Sequence, residues 1–155
     1  MSIRSFAAVI GLAVASAACA DPVAVPPEPL VGSWATVTAQ QPQGSLHQVL
    51  TFKRDGSVVF GVYHYGVYTA SSGLEAYSKI EGRYRTTGDR LQIDDKRITL
   101  FDTFYPDPGP TTTEYPGTIF DDCTFRIEGD QLILTYLSYP LDAPQETVLR
   151  LHRTH

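Results

Sequence analysis

The sequence predicts an all-β fold, a single antiparallel up-and-down β-barrel of about eight strands. After residue 21, no window of ten or more positions has apolar residues at the three- and four-residue spacing of an amphipathic helix. Short runs of alternating apolar and polar residues occur instead, separated by Gly, Asp and Pro, which is typical of antiparallel strands. About eight such strands in succession must protect their edges, and closure into a barrel is the usual way to do so.

The first three predicted strands include a well-marked hairpin. Residues 32–39 form the first run, and the next two runs flank Asp55-Gly56 in the segment SLHQVLTFKRDGSVVFGVYHYGVY. Asp-Gly between alternating runs is a strong hairpin signal, because glycine accepts the positive φ of a tight turn. The third run, residues 58–68, is apolar on both faces. We therefore expect one of its faces to pack on the core and the other on a loop or a partner.

Two later hairpins have the same Gly-Asp sequence at their turns. Their turns are Gly88-Asp89 and Gly129-Asp130, in the segments YRTTGDRLQI and FRIEGDQLIL. Glycine supplies the positive φ, and aspartate can hydrogen-bond its own backbone. We interpret the similarity as repeated turn chemistry and expect Arg85 and Arg126, beside the turns, to point to solvent.

The remaining chain supplies two more strands and one long loop. The run RITLFDTFY is predicted to be a separate strand, and ETVLRLHR is predicted to end the barrel. Residues 102–122 contain four prolines, two glycines and three consecutive threonines, so an irregular loop is expected. Loops of this length in compact domains are usually functional lids or else mobile.

Aromatic residues and one histidine are the candidate ligand contacts. They lie on the third run, on the second hairpin and in the long loop, where they could surround an opening. The candidates are Phe60, Tyr63, His64, Tyr65, Tyr84, Phe104, Tyr105 and Tyr115. His64 shares strand parity with Val62, so it is expected to point inward, either as a hydrogen-bonded core residue or as a ligand contact.

The first twenty residues have the pattern of a secretory signal peptide. Arg4 precedes a short apolar run, and small residues follow. Cleavage after Ala20 would release a soluble chain, whereas cleavage before Cys19 would give the lipid-bearing N-terminus of a bacterial lipoprotein. Ser16 stands where such a lipoprotein usually has an aliphatic residue.

The segment after the leader favours the lipid-anchored route. It is rich in proline, and such segments are extended spacers. We divide the chain into a signal peptide (1–20), a tether (21–30) and a barrel domain (31–155). The predicted location is the periplasm or the outer membrane, with membrane contact only through a lipid on Cys19.

The net charge excludes two classes of binding partner, and the sequence around Cys123 predicts that this residue is buried. Removal of the leader takes away Arg4 and no acid, so 11 basic and 17 acidic side chains remain, a net charge of −6. This argues against nucleic acid and against electrostatic attraction to anionic lipid. Cys123 alternates with Phe125 and Ile127, which predicts a small buried hydrophobic residue.

The first and last predicted strands carry two specific features. Gly32-Ser33-Trp34 stands at the start of the first strand, and arginines occur in the last strand. In these features the chain resembles the lipocalins, or more broadly the calycins. The resemblance implies that Trp34 crosses the closed end of the barrel beneath a late arginine. Arg153 shares a face with Leu151, so it is the expected partner, with Arg150 as the alternative. The central Thr-Asp-Tyr motif and the long helix of lipocalins are absent, so the resemblance is to the broader group of bacterial lipocalin-like barrels.

No known catalytic motif occurs, and no metal or cofactor is expected. Of the four histidines, only His152 and His155 are close in sequence, at the chain end. The pairs Asp94-Asp95 and Asp121-Asp122 lack the further oxygen ligands that a hard cation needs. An enzyme would require a site of scattered residues, such as His64 close to Glu75 or Glu81.

The predicted function is binding of a small apolar or amphipathic molecule in the interior or mouth of the barrel. The alternative is an envelope structural or protein-interaction module whose barrel holds only its own side chains. In that case the filling residues would be Phe52, Phe60, Tyr84, Leu100, Phe125, Leu134 and Leu149. Cavity volume distinguishes the two hypotheses.

Overall fold

A computed structural model describes residues 28–40, 44–67, 73–104, 109–117, 119–140 and 143–155. The predicted signal peptide with Cys19, residues 21–27 of the tether, and Tyr105 lie outside the described residues. The strands are β1 (Gly32–Gln40), β2 (Gly44–Phe52), β3 (Ser57–Tyr65), β4 (Leu74–Thr87), β5 (Arg90–Asp102), β6 (Thr111–Glu114), β7 (Asp121–Glu128), β8 (Gln131–Ser138) and β9 (Gln145–Arg153). In this described part, no helix is long and apolar enough to cross a membrane.

Eight strands close into an antiparallel barrel, which confirms the predicted fold class. The order around the barrel is β4, β3, β2, β1, β9, β8, β7 and β5, and pairing of β4 with β5 completes the ring. Strand β6 pairs with the outer part of β5 as a ninth strand beside the ring. Hairpin connections between neighbouring strands produce this up-and-down order.

The barrel consists of two halves that meet at two short joints. Within the half formed by β1 to β6 and the half formed by β7 to β9, most neighbouring strands pair along nearly their whole length. Between the halves, β1 pairs with β9 only at Trp34 and Ala35, and β5 pairs with β7 only at Arg90 and Leu91. Both joints therefore lie toward the end of the barrel that contains Trp34.

The predicted hairpin turns are present. Gly56, Gly88 and Gly129 have φ values of 80°, 63° and 60°, so each supplies the left-handed conformation at its turn. Asp55 accepts hydrogen bonds from the hydroxyl and backbone N–H of Ser57 at 2.7 and 2.9 Å. These bonds, the hydroxyl bond most of all, lower the pKa of the Asp55 carboxyl.

One end of the barrel is filled by side chains. Trp34 and Leu30 are fully buried in a continuous apolar cluster. The other buried members are Leu50, Phe52, Val58, Tyr84, Leu91, Ile93, Phe120, Cys123, Leu132, Leu134 and Leu151. The sequence-based division assigns Leu30 to the tether, but its full burial means that packing of the barrel already starts at this residue.

Two local expectations need correction. Residues 97–102 of the run RITLFDTFY are part of the single strand β5, which continues through the acidic stretch at Asp94. Asp94 is held in the ladder opposite Arg83, and its carboxylate binds the Arg85 guanidinium at 2.6 Å. The segment 102–122 is not irregular throughout, because Thr111–Glu114 forms β6. There, Thr112 pairs with Thr99 and the two hydroxyls are 2.9 Å apart.

Candidate ligand-binding site

The closed end is built around Trp34. Its indole Nε1 donates to the Leu30 carbonyl at 2.9 Å, and the Arg153 guanidinium carbon lies 4.1 Å from the centre of the indole ring. The guanidinium also donates to the carbonyls of Val31 at 3.0 Å and Pro29 at 2.6 Å. Arg153 thus joins the ring to the chain segment before β1 and closes this end of the barrel.

Strand parity identifies the correct arginine. Arg153 pairs directly with Trp34 between β9 and β1, so both side chains are on the same face. Arg150, the alternative, is exposed and contacts Gln131 at 3.5 Å. Gly32 has a φ of 132°, and a Cβ there would be 2.7 Å from Arg153 Nη1. The close approach of this guanidinium therefore requires glycine at position 32.

A cavity of about 580 Å³ lies between the two halves of the barrel, farther from Trp34, and we call it the mouth cavity. Its walls come from β2, β3 and β8, from Tyr139 after β8, and from residues 119–121 at the start of β7. The lining residues are Gln48, Phe60, Val62, Ile119, Phe120, Asp121, Tyr136, Leu137, Ser138 and Tyr139. Five of these residues are apolar and five carry a polar group.

The polar groups at the mouth are partly fixed by one another. The Tyr139 hydroxyl donates to Asp121 Oδ2 at 2.6 Å. This hydrogen bond is the main reason that the pKa of Tyr139 is raised, because ionised tyrosine could not donate it. The pKa of Tyr136, deeper in the cavity, is raised mainly by burial. Both phenols are therefore neutral hydrogen-bonding groups at neutral pH.

Phe120 lines both the mouth cavity and a second cavity. Its ring centre is 5.0 Å from that of Phe60 on β3 and 4.9 Å from that of Tyr136 on β8. The ring thus spans the interior between the two halves of the barrel. Phe120 has a φ of 56°, which for an aromatic residue costs about 1–3 kcal/mol and is retained only where surrounding contacts impose it.

The second cavity, about 600 Å³, lies beside the short joint between β5 and β7, and we call it the lateral cleft. Its inner wall includes the buried apolar side chains Leu91, Ile93 and Cys123. Charged side chains surround it, and two ion pairs lie among them, Arg85 with Asp94 at 2.6 Å and Arg90 with Asp122 at 2.9 Å. The mouth cavity and the lateral cleft share Ile119, Phe120 and Asp121 as lining residues.

The predicted contact residues are spread over three regions of the molecule. Phe60 lines the mouth cavity, and half-buried His64 is on the same face of β3 nearer the open end. Tyr84 belongs to the filled end, where its hydroxyl donates to the Lys53 carbonyl at 3.0 Å and burial raises its pKa to about 12. Phe104 is 54% exposed, and Tyr115 packs over Gly117.

Tyr63 and Tyr65 are on the outer face of the barrel. Tyr63 covers Gly61, and its ring centre is 5.9 Å from that of Tyr77, which in turn stacks on Phe101 at 5.3 Å. The Tyr65 ring is 4.8 Å from that of His47. We call these five residues the outer aromatic row. Its rings form two contacting groups, one between β2 and β3 and one across β3, β4 and β5, as cross-strand pairs do when they stabilise a sheet.

Several lining residues were not predicted from the sequence. Gln48 and Val62 could have been found by parity, because they share a face with Leu50 and Phe60. Tyr136 is two residues from buried Leu134 in β8, so parity places both side chains on the same face. Phe120 has no comparable signal, since its position depends on a backbone conformation that non-glycine residues rarely adopt.

Of the two acids considered for catalysis beside His64, buried Glu75 is close to it in the ladder and Glu81 is not. His64 pairs with Ala76, whereas Glu81 is opposite Val59, five residues along β3, or about 16 Å. The Glu81 carboxylate instead contacts Lys79 at 3.4 Å. Cys123 is 3% exposed, and burial, reinforced by Asp122, raises its thiol pKa to about 12. In the described residues, no three His, Cys, Asp or Glu side chains are grouped as metal ligands would be.

No family model, curated protein or solved structure matches this chain. The lipocalin-like resemblance therefore stays a prediction from the Gly-Ser-Trp segment and the late arginine.

Proposed function

We propose that this chain is an exported binding protein that holds one small apolar or amphipathic molecule in the mouth cavity. The observation that carries the proposal is a 580 Å³ cavity between the two halves of the barrel, opposite an end that is filled by side chains. This volume is within the range of known small-molecule sites.

The lining indicates how the molecule would be held. Phe60, Val62 and Phe120 offer apolar surface, and each Å² of apolar ligand surface that they remove from water would contribute about 25 cal/mol before the cost of association. Gln48 and Ser138 can hydrogen-bond a single polar group and so orient it. An amphipathic ligand with a small polar end fits this arrangement.

The proposed location follows from the first thirty residues. A signal peptide would direct the chain to the periplasm, and a lipid on Cys19 would hold it at a membrane through the proline-rich tether. The negative net charge gives no attraction to anionic lipid, so the anchor would be the only membrane contact.

Native mass spectrometry of the mature protein from its own envelope tests both parts together. The expected result is a mass that includes a retained small molecule and, if Cys19 is processed, a lipid. Absence of any retained molecule, together with failure to bind a fluorescent apolar probe such as N-phenyl-1-naphthylamine, would overturn the binding proposal.

A matched pair of variants on β3 tests whether the mouth cavity is the site. Val62→Phe places a larger side chain in the cavity, and Val59→Phe makes the same change on the outward face of the same strand. We expect probe affinity to fall by about tenfold or more in Val62→Phe, which corresponds to about 1.4 kcal/mol, and to be unchanged in Val59→Phe. Equal affinities would place the bound probe elsewhere.

The outer aromatic row favours the second candidate function, a protein-interaction module. Its rings and the 59% exposed side chain of Val37 give the outside of β1 to β5 an apolar character. However, Tyr77 and Phe101 stack with an angle of 19° between their rings, so they cover each other's faces. We therefore place the binding function in the mouth cavity and attribute the row to stabilisation of the sheet.

A further inference from the structure

We infer that Phe120 is the residue that determines how long a ligand the mouth cavity accepts, because its side chain ends that cavity and closes it from the lateral cleft. The inference rests on the proposed function and specifies its ligand class further. The ligand would be an amphiphile with one apolar chain, and Phe120 would limit the length of that chain.

The first argument is the shared wall. The mouth cavity and the lateral cleft have only the segment from Ile119 to Asp121 in common among their lining residues. Within this segment, Phe120 is the residue whose ring reaches both Phe60 and Tyr136. Loss of this ring would therefore join the two cavities into one longer space.

The second argument is the backbone conformation. Phe120, directly before β7, and Asp122, the second residue of β7, both have positive φ values, 56° and 43°. Aromatic residues rarely adopt this conformation, and glycine would adopt it without strain. A bulky ring at such a position, held by contacts to opposite walls, is consistent with a role that needs the ring itself.

The third argument is the nature of the space beyond the ring. Leu91 and Ile93 are 4% and 6% exposed and form part of the inner wall of the lateral cleft. An apolar chain that passed the position of Phe120 would meet these side chains before it reached the ion pairs at the outside. A longer chain would thus gain additional apolar contact once the ring is removed.

The test compares octanoate, dodecanoate and hexadecanoate as ligands, by displacement of N-phenyl-1-naphthylamine, in the wild-type protein and in Phe120→Gly. Each additional buried CH₂ should raise affinity by about fourfold until the cavity is full. We expect affinity to stop rising at a shorter chain in the wild type than in the variant. The ratio of hexadecanoate to octanoate affinity should increase by about tenfold or more in Phe120→Gly.

Two further variants support the interpretation. Phe120→Leu keeps an apolar side chain of smaller size, so it should produce a smaller shift in the same direction, and it decides the question alone if Phe120→Gly does not fold. Phe101→Leu makes the same substitution in the outer aromatic row and should leave the chain-length ratio unchanged.

The outcomes separate the two proposals. If the wild-type protein binds none of the three carboxylates and no probe, the proposed function fails. If the wild-type protein binds them and the ratio is the same in Phe120→Leu and Phe120→Gly, the role of Phe120 is wrong while the mouth-cavity function stands. A ratio that changes equally in Phe101→Leu would also contradict the inference.

Discussion

Arg153→Ala should destabilise the barrel by about 2–4 kcal/mol. The substitution removes a cation–π contact with Trp34, worth about 0.5–2 kcal/mol, because the guanidinium carbon lies 4.1 Å from the ring centre. It also removes two hydrogen bonds to the carbonyls of Val31 and Pro29, each worth about 1 kcal/mol at a partly exposed site. The loss would be near 2 kcal/mol if water molecules replaced the guanidinium as hydrogen-bond donors to both carbonyls.

The control for this prediction is Arg150→Ala on the same strand. Arg150 is exposed and has a single long contact to Gln131, so its loss should change the free energy of unfolding by less than about 0.5 kcal/mol. Arg153→Lys keeps the charge but lacks the planar fork that reaches both carbonyls, and it should give an intermediate loss.

The assay is urea unfolding followed by the fluorescence of Trp34, the only tryptophan in the chain. The midpoint should fall in Arg153→Ala while the slope stays unchanged, since the same surface is exposed on unfolding. Equal midpoints for Arg153→Ala and Arg150→Ala would refute the view that the closed end depends on this arginine.

Three other predictions concern the filled end of the barrel. Gly32→Ala should lower the free energy of unfolding by about 1–3 kcal/mol, because the φ of Gly32 is 132° and the new Cβ would be 2.7 Å from Arg153 Nη1. Gly88 has open space around it, so Gly88→Ala should lower the free energy of unfolding less in the same urea assay. Cys123 should react with Ellman's reagent only after unfolding, measured in a chain with Cys19→Ser; rapid native labelling would contradict its burial. Stability should fall as pH rises from about 9 toward 12, because Cys123 and Tyr84 hold their protons more tightly when folded; a urea midpoint that is constant over this range would contradict the raised pKa values.

The fold class and the closed end could be predicted because both depend on local patterns. Alternation of apolar and polar residues identifies strands, and glycines such as Gly56 mark turns that need positive φ. Parity along β9 was enough to select Arg153 over Arg150. No long-range information was needed for these conclusions.

The mouth could be predicted only in part. Tyr63 and Tyr65 flank His64 on one strand, so the three side chains cannot share a face, and aromatic content alone was a poor guide to the interior. Phe120 is placed by contacts with Phe60 and Tyr136, which lie far away in the sequence. Such a contact is a property of the closed barrel, and no local pattern encodes it.

The two short joints give the barrel a mechanical property that a uniformly paired barrel would lack. Each half is a continuous meander, and in the part of the chain that the structure describes, ladder pairing joins the halves only near Trp34 and Leu91. Opening of the mouth would bend the molecule at the filled end and would have to separate Phe120 from Phe60. Such breathing would leave the long ladders intact. Resistance to unfolding and ease of ligand entry would then be governed by opposite ends of the same molecule.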